Sequence, residues 1–125
     1  MVDDEPTILF TFQAILEQQD YEVVGVKSSA EAIEELRHRE FDAVIADLNL
    51  EREGSGLQVV RAAKSLQPPP VVVIFTGYPK IEQLQKALDL HVDYLALKPV
   101  DVEEIKSALH KLVTRRADTL SLACA

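Results

Sequence analysis

Short apolar runs alternate along this chain with segments whose apolar residues recur every three or four positions. This alternation constrains the fold more than any other feature, because parallel strands covered on both faces are continuously apolar, whereas surface helices are apolar on one side. Three runs stand out, at residues 43–46, 71–75 and 92–97, the last interrupted by Asp93 and Tyr94. Right-handed crossovers would place the intervening helices on both faces of one parallel sheet. The pattern therefore predicts an α/β fold with a doubly wound sheet.

Five strands and five helices are expected. The predicted strands are an unusually short first one at residues 1–2, then 22–26, 41–47, 71–75 and 92–97. The predicted helices begin near residues 6, 28, 57, 79 and 101. Pro6 suits a first helical turn, and Ser28 and Asp101 are typical N-terminal caps. We expect residues 1–117 to form one domain and residues 118–125 to be a C-terminal tail or linker stub.

Composition narrows the class of protein. A formal net charge of −8 over 125 residues argues against binding to nucleic acid or to an anionic membrane, because both require a basic surface. No apolar stretch approaches the ~20 residues that span a bilayer, and the acidic N-terminus does not resemble a signal peptide. Cys124 is the single cysteine, so an intrachain disulfide is excluded. These observations favour a cytoplasmic location.

Polar residues suited to phosphoryl chemistry follow four of the predicted strands. They are Asp3 and Asp4 after the first strand, Asp47 after the third, Thr76 after the fourth and Lys98 after the fifth. Open parallel sheets bind ligands in the crevice beyond the carboxyl ends of their strands. We therefore expect these side chains to meet in one cleft, although they come from positions far apart in the chain.

The chemistry of this cleft centres on Asp47. A carboxylate can attack a phosphoryl group and form an acyl phosphate. Asp3 and Asp4 would repel Asp47 unless a cation lay among them, and oxygen-rich sites with few protein ligands suit Mg²⁺. The Thr76 hydroxyl can donate a hydrogen bond to a phosphoryl oxygen, and Lys98 can supply a compensating positive charge.

Each of these residues taken alone also has an ordinary structural interpretation. A strand-end aspartate is most often a turn or cap residue, and lone threonines and lysines are usually capping or surface groups. Their joint placement at one end of successive strands is what favours a site. Asp42 and Asp93 begin their strands instead, so we expect them at the opposite end of the sheet, away from the cleft.

These motifs resemble the receiver domains of two-component response regulators, over essentially the whole chain. The matching segments are Val-Asp-Asp-Glu-Pro at 2–6, Phe-Asp-Ala-Val-Ile-Ala-Asp-Leu-Asn-Leu at 41–50, Phe-Thr-Gly at 75–77 and Leu-Lys-Pro-Val at 97–100. The resemblance implies a flavodoxin-like (βα)5 fold with the strand order 2-1-3-4-5. It also implies that the Lys98–Pro99 peptide bond is cis and that the small Gly77 leaves room beside the phosphoryl group.

The resemblance also implies a function. Asp47 would accept a phosphoryl group from a sensor histidine kinase or phosphotransfer protein, with Thr76 as the switch hydroxyl and Lys98 as the phosphate-pairing lysine. Mg²⁺ would be held by Asp3, Asp4, Asp47 and the backbone carbonyl of Asn49. Phosphorylation would reshape the face formed by the fourth helix, fifth strand and fifth helix, which a downstream protein or output domain reads. Such a domain is not a conventional enzyme, since it catalyses only its own phosphorylation and dephosphorylation.

Four positions depart from the family pattern. Receivers usually carry several apolar residues before the acidic pair, but only Met1 and Val2 precede it here. A proline is common where Glu51 stands, and the family usually has glycine at His91. The aromatic switch position, three residues before the lysine, is Leu95. Because neighbouring residues of a strand point to opposite faces, Tyr94 cannot substitute for that aromatic residue.

Two other functions are alternatives to the phosphorylated switch. A degenerate receiver would act as a phosphorylation-independent protein-interaction module, and the short first strand keeps this alternative open. A phosphatase of the haloacid dehalogenase type would need a second aspartate where Asn49 stands. The sequence leaves open whether the chain forms a homodimer, and it identifies neither the cognate kinase nor an output domain.

Overall fold

A parallel sheet lies at the centre of the molecule. The computed structural model describes residues 1–52, 54–77 and 80–124. Within these residues the sheet has three strands in the order β1-β2-β3, namely β1 (Ala43–Asp47), β2 (Val71–Thr76) and β3 (Tyr94–Leu97). All three run parallel, so their carboxyl ends share one edge. That edge is where the candidate site residues were expected.

Five helices of the described part of the chain surround the sheet, as predicted. They are α1 (Pro6–Glu17), α2 (Ser29–His38), α3 (Gly56–Lys64), α4 (Ile81–Asp89) and α5 (Val102–Cys124). The Ser28 hydroxyl accepts a hydrogen bond from the Glu31 amide at 3.2 Å, and an Asp101 carboxylate oxygen accepts one from the Glu103 amide at 3.0 Å. Both predicted caps are therefore confirmed. The predicted start of the fourth helix near Pro79 lies outside the described residues.

Apolar side chains cover the sheet on both faces. One cluster packs β1 and β2 against α1 and α5, with Phe12, Ile45, Val73, Phe75 and Ile105 among its members. The other packs the opposite face of the same strands against α2, α3 and α4, with Leu36, Val60, Val72, Ile74 and Ala87 among its members. All six residues of β2 are buried. The α/β class with helices on both faces is therefore confirmed.

The first two predicted strands are reduced to single bridging residues. Val2 pairs in parallel with Val26 on one side and with Ala46 on the other. Among the described residues, 22–26 form no strand beyond the bridge at Val26, so the five-strand sheet is not confirmed. The Val26 amide donates to the Met1 carbonyl at 2.9 Å, and the Asp3 amide donates to the Val26 carbonyl at 3.1 Å. The five-strand order 2-1-3-4-5 stays a prediction.

A cavity of about 380 Å³ opens at the amino-terminal end of β1, beside the first predicted strand. It lies beside Met1, between residues 20–24 and residues 39–43. At the carboxyl end of β1, Val2 is paired with the sheet. The Val2 amide donates to the Ile45 carbonyl at 2.8 Å, and the Asp47 amide donates to the Val2 carbonyl at 3.1 Å. The pairing of Val2 with β1 thus places Asp3 beside Asp47.

The last helix extends further than predicted. Residues 118–124 belong to α5, whereas the sequence predicts a C-terminal tail or linker stub from residue 118. The Arg116 side chain joins α5 to the amino-terminal end of the sheet. It donates to the Pro69 carbonyl at 2.9 Å and to Asp42 at 3.2 Å. The domain boundary at residue 117 stays a prediction. None of the described helices is long and apolar enough to cross a membrane.

Candidate functional site

The structure brings the predicted site residues together at the carboxyl edge of the sheet. Asp47 ends β1, Thr76 ends β2 and Lys98 follows β3 directly. Strand register aligns them, because Asp47 pairs with Phe75 and Thr76 pairs with Leu97. Asp3 joins them because the neighbouring Val2 pairs with β1, where the Asp47 amide donates to the Val2 carbonyl at 3.1 Å.

Lys98 lies between two carboxylates. Its Nζ donates to Asp47 Oδ2 at 2.7 Å and lies 3.6 Å from Asp3 Oδ2. The same nitrogen is 5.3 Å from the centre of the Phe75 ring, so its stem crosses an apolar surface. Burial by itself lowers the pKa of Lys98, but the hydrogen bond and charge of Asp47, with the charge of Asp3, outweigh it and raise the pKa above its ordinary value. The ammonium therefore stays charged.

Asp3 is the most enclosed carboxylate of the site, with no exposed surface. Its Oδ1 accepts a hydrogen bond from the Glu5 amide at 2.8 Å. Its Oδ2 is also buried and has no hydrogen-bond partner in the part of the chain that the structure describes. Burial raises the pKa of Asp3, although the Glu5 amide and Lys98 oppose the rise. A buried acceptor of this kind is stabilised by an additional positive group.

The acidic residues fit a divalent cation. Asp3, Asp4 and Asp47 each offer one carboxylate oxygen, and these oxygens lie within 4.8 Å of one another. Asp4 is exposed, so the group is open to solvent on that side. Three carboxylates face one lysine, which leaves excess negative charge, and hard oxygen ligands with room for water suit Mg²⁺ or Ca²⁺. Asp3 Oδ2, which accepts no hydrogen bond from the described residues, supports the same assignment.

Replacing Lys98 by methionine should therefore lower the free energy of unfolding by about 2 kcal/mol, because two buried carboxylates lose their counter-charge. Mg²⁺ should raise the unfolding midpoint more in this variant than in wild type, since the cation restores positive charge among the carboxylates. Urea titrations with and without Mg²⁺ measure both effects. Lys106→Met is the control, because Lys106 is paired with the exposed Glu103 and with no other acidic residue among those that the structure describes. Equal Mg²⁺ shifts in all three proteins would contradict this account of the site.

Asn49 connects three parts of the site. Its amide donates to Asp47 Oδ1 at 3.0 Å, its side-chain Nδ2 donates to Thr76 Oγ1 at 3.4 Å, and its Oδ1 accepts from the Gly54 amide at 2.8 Å. From the sequence, only the Asn49 carbonyl is predicted to have a role, and the contacts of the Asn49 side chain with Thr76 and Gly54 are not predicted. An amide residue two positions after a strand end is common in turns, so it carried no specific signal.

Two glycines differ in how closely the backbone approaches them. A Cβ on Gly56 would lie 2.1 Å from the Asp47 carbonyl oxygen and 2.8 Å from Leu48 Cα, so only glycine fits at the start of α3. A Cβ on Gly77 would make ordinary contact with the Lys98 side chain at 3.6 Å. Gly56 is therefore a requirement of the site.

Asp42 and Asp93, which were predicted to lie outside the cleft, are away from the site. Asp42 contacts Arg116, and Asp93 accepts from Lys64 at 3.2 Å and from the Val72 amide at 2.7 Å, all at the opposite end of the sheet. Their predicted exclusion from the cleft is confirmed.

The strand that carries the lysine also has the predicted geometry. Tyr94 donates to Glu104 of α5 and packs in the α1 and α5 cluster, whereas Leu95 packs on the opposite face. Tyr94 therefore does not replace an aromatic residue at position 95, as predicted. His91 adopts a left-handed backbone with φ of 59°, and the Lys98–Pro99 peptide bond is cis.

The sheet, the helices and the acidic edge define an α/β domain with a group of carboxylates and a lysine at the carboxyl ends of its strands, and comparison with known proteins places it in a family. The response regulator receiver domain family matches residues 1–110. The chain belongs to this family and is a receiver domain of two-component response regulators.

Several curated relatives are transcriptional regulators. The chain is 33% identical over 112 residues to the transcriptional regulatory protein ZraR of Escherichia coli O157:H7, which covers 89% of this chain and 25% of that protein. It is 35% identical over 112 residues to the alginate biosynthesis transcriptional regulatory protein AlgB of Pseudomonas putida, with the same coverage. The chain thus spans about a quarter of the length of these relatives.

Solved structures agree with the family. A receiver domain protein from Methanospirillum hungatei superposes with a TM-score of 0.87 at 24% identity, covering 94% of each chain, which shows the fold. A response regulator from Burkholderia pseudomallei, solved with a phosphorylated aspartic acid, a calcium ion and citrate, superposes with a TM-score of 0.79 at 27% identity, covering 98% of this chain and 71% of that one. Receiver domains bind Mg²⁺ or a similar divalent ion at the acidic pocket and are generally not conventional enzymes.

Proposed function

We propose that Asp47 is the phosphoacceptor of this receiver domain and that its phosphorylation requires Mg²⁺. The observation that carries the proposal is the position of the Asp47 carboxylate, which ends β1 among Lys98, Thr76 and the acidic pair of Asp3 and Asp4. One Asp47 oxygen is hydrogen-bonded to Lys98 and the other to the Asn49 amide, so the carboxylate is held in one orientation.

The proposed step is a phosphoryl transfer onto this carboxylate. One oxygen of Asp47 forms a bond to phosphorus as the bond between phosphorus and the donor histidine nitrogen breaks, and that nitrogen keeps the electron pair. Lys98 is near enough to move from Asp47 to an oxygen of the transferred group, and Thr76 can donate its hydroxyl to another. Asp3, Asp4, Asp47 and the Asn49 carbonyl would hold Mg²⁺, which supplies positive charge for the phosphoryl oxygens when bound.

Phosphorylation is proposed to act as a switch. The Thr76 hydroxyl accepts from Asn49 in this structure, so turning it toward the phosphoryl group changes that contact. Movement at Thr76 passes to the face of α4, β3 and α5, where Ile81, Leu88 and Leu97 are large exposed apolar residues. A downstream protein, an output domain or a second copy of the chain would read this face.

The proposal also covers the phosphoryl donor, the cellular location and the strand order. The donor is a sensor histidine kinase or a phosphotransfer protein in the cytoplasm, and the domain catalyses only its own phosphorylation and dephosphorylation. The strand order is 2-1-3-4-5, and the bridges from Val2 to Val26 and Ala46 support it. A phosphorylation-independent role is not favoured, because the acidic group, Thr76 and Lys98 all lie in one cleft.

Incubation with acetyl phosphate and Mg²⁺ tests the proposal. Intact-mass spectrometry should show the addition of one phosphoryl group to the wild-type protein, because the site neutralises the charge of the transferred group. Chelation of Mg²⁺ with EDTA should abolish the addition. The result that overturns the proposal is an unchanged mass under conditions that label another receiver domain.

A further inference from the structure

We infer that Glu51 is a positioning residue that holds the loop after Asp47 against the N-terminus of α2 and so shapes the metal-binding side of the site. The inference rests on the proposed function only in taking the Asn49 carbonyl and Asp47 as metal ligands. Glu51 stands where a proline is common in the family.

Both oxygens of the Glu51 carboxylate contact Ser29. The Ser29 amide donates to Glu51 Oε2 at 3.2 Å, and the Ser29 hydroxyl donates to Glu51 Oε1. Ser29 is the first residue of α2 and is buried, whereas the rest of the Glu51 side chain is exposed. A carboxylate suits this position, because the first turn of a helix carries free amides and partial positive charge.

The inner side of the same loop is held differently. The buried Ser55 hydroxyl accepts from the Leu50 amide at 3.1 Å and donates to the Arg52 carbonyl at 2.8 Å. Asn49 accepts from the Gly54 amide at 2.8 Å. These contacts close the loop on itself, and the buried Leu50 packs in the apolar cluster with α2 and α3. Glu51 adds hydrogen bonds from the loop to the first residue of α2, 22 positions away in the chain.

The attachment matters because the loop begins at the site. Glu51 is two residues from Asn49, whose amide holds Asp47 Oδ1 at 3.0 Å and whose carbonyl is a proposed ligand. Mg²⁺ requires near-ideal octahedral geometry, so a small movement of a carbonyl ligand weakens its binding. Residues that orient ligands without touching the metal commonly change metal affinity by 10–100-fold. Glu51 is placed to have this effect.

Mg²⁺ titration calorimetry on Glu51→Ala, Glu51→Gln and Glu31→Ala tests the inference. We expect Glu51→Ala to weaken Mg²⁺ binding by about tenfold. Glu51→Gln keeps one acceptor oxygen and should fall between this variant and wild type. Glu31→Ala is the matched control, since Glu31 lies in the first turn of α2 and its side chain makes no hydrogen bond or ion pair within the described residues. Its affinity should equal that of wild type.

Amide hydrogen exchange gives a second measurement that needs neither metal nor phosphoryl donor. The Ser29 amide should exchange faster in Glu51→Ala than in Glu31→Ala, with the same unfolding midpoint in both. Equal Mg²⁺ affinities in wild type and Glu51→Ala would overturn the inference, as would equal losses in Glu51→Ala and Glu31→Ala or the absence of Mg²⁺ binding by wild type. Failure of acetyl phosphate labelling with these results intact would count against the proposed function alone.

Discussion

Asp47→Ala should take up no phosphoryl group from acetyl phosphate, while the wild-type protein gains one. Asp47 is the carboxylate that ends a buried strand, and its Oδ2 lies 2.7 Å from the Lys98 ammonium that would pair with the transferred group. Alanine removes the nucleophile and leaves Lys98 and Thr76 without an acyl phosphate to contact. Intact mass after incubation with Mg²⁺ and donor measures the loss, and far-ultraviolet circular dichroism shows that the variant is folded.

Asp42→Ala is the matched control for this loss. Asp42 precedes the same strand and is exposed, with its carboxylate on Arg116 at the other end of the sheet. It should be labelled as fully as wild type. Label persisting in Asp47→Ala would show that another side chain accepts the phosphoryl group, and Asp3 would then be the first residue to examine because it faces the same lysine.

Gly56→Ala should lower the free energy of unfolding by about 3 kcal/mol, which is the largest stability effect we expect from a single added methyl group here. The new Cβ would lie 2.1 Å from the Asp47 carbonyl oxygen and 2.8 Å from Leu48 Cα. Both are backbone atoms of the segment that leaves β1, so neither can move without displacing the site. The Gly56 amide also donates to the Leu48 carbonyl at 2.9 Å, and separation of the two segments would lengthen this bond.

Chemical denaturation of Gly56→Ala and Gly77→Ala measures the effect against a control. The Gly77 Cβ would meet the Lys98 side chain at 3.6 Å, which is ordinary contact, so this variant should lie within about 0.5 kcal/mol of wild type. A Gly56→Ala protein as stable as Gly77→Ala would mean that α3 can move away from β1 at little cost. The close approach would then not be a requirement of the fold.

The strands show where sequence patterns predict structure well and where they fail. β1 and β2 formed as predicted because their side chains are apolar on both faces and both faces are covered. Residues 22–26 carry a similar pattern but form only the bridge at Val26. A strand at the edge of a sheet depends on its one neighbour, and among the described residues that neighbour contributes only the bridge at Val2. Propensity alone could not show this dependence.

The site could be predicted in part for the same reason. Asp47, Thr76 and Lys98 were predictable because strand ends in a parallel sheet share an edge, and the structure places all three there with Asp3 beside them. Their roles in phosphoryl transfer stay predictions. The side-chain contacts of Asn49 and Glu51 were not predictable, because they join residues across loops whose path depends on packing.

The sequence by itself determined the α/β class, the polar residues at the strand ends and the family, since these depend on periodicity and on short motifs that local chemistry requires. Only the tertiary structure decided that the first predicted strand pairs through bridges at Val2, that Gly56 must lack a side chain and that Glu51 reaches Ser29. Each of these depends on how near two distant backbone segments approach. That distance is set by the packing of the whole domain, and no single segment of the chain encodes it.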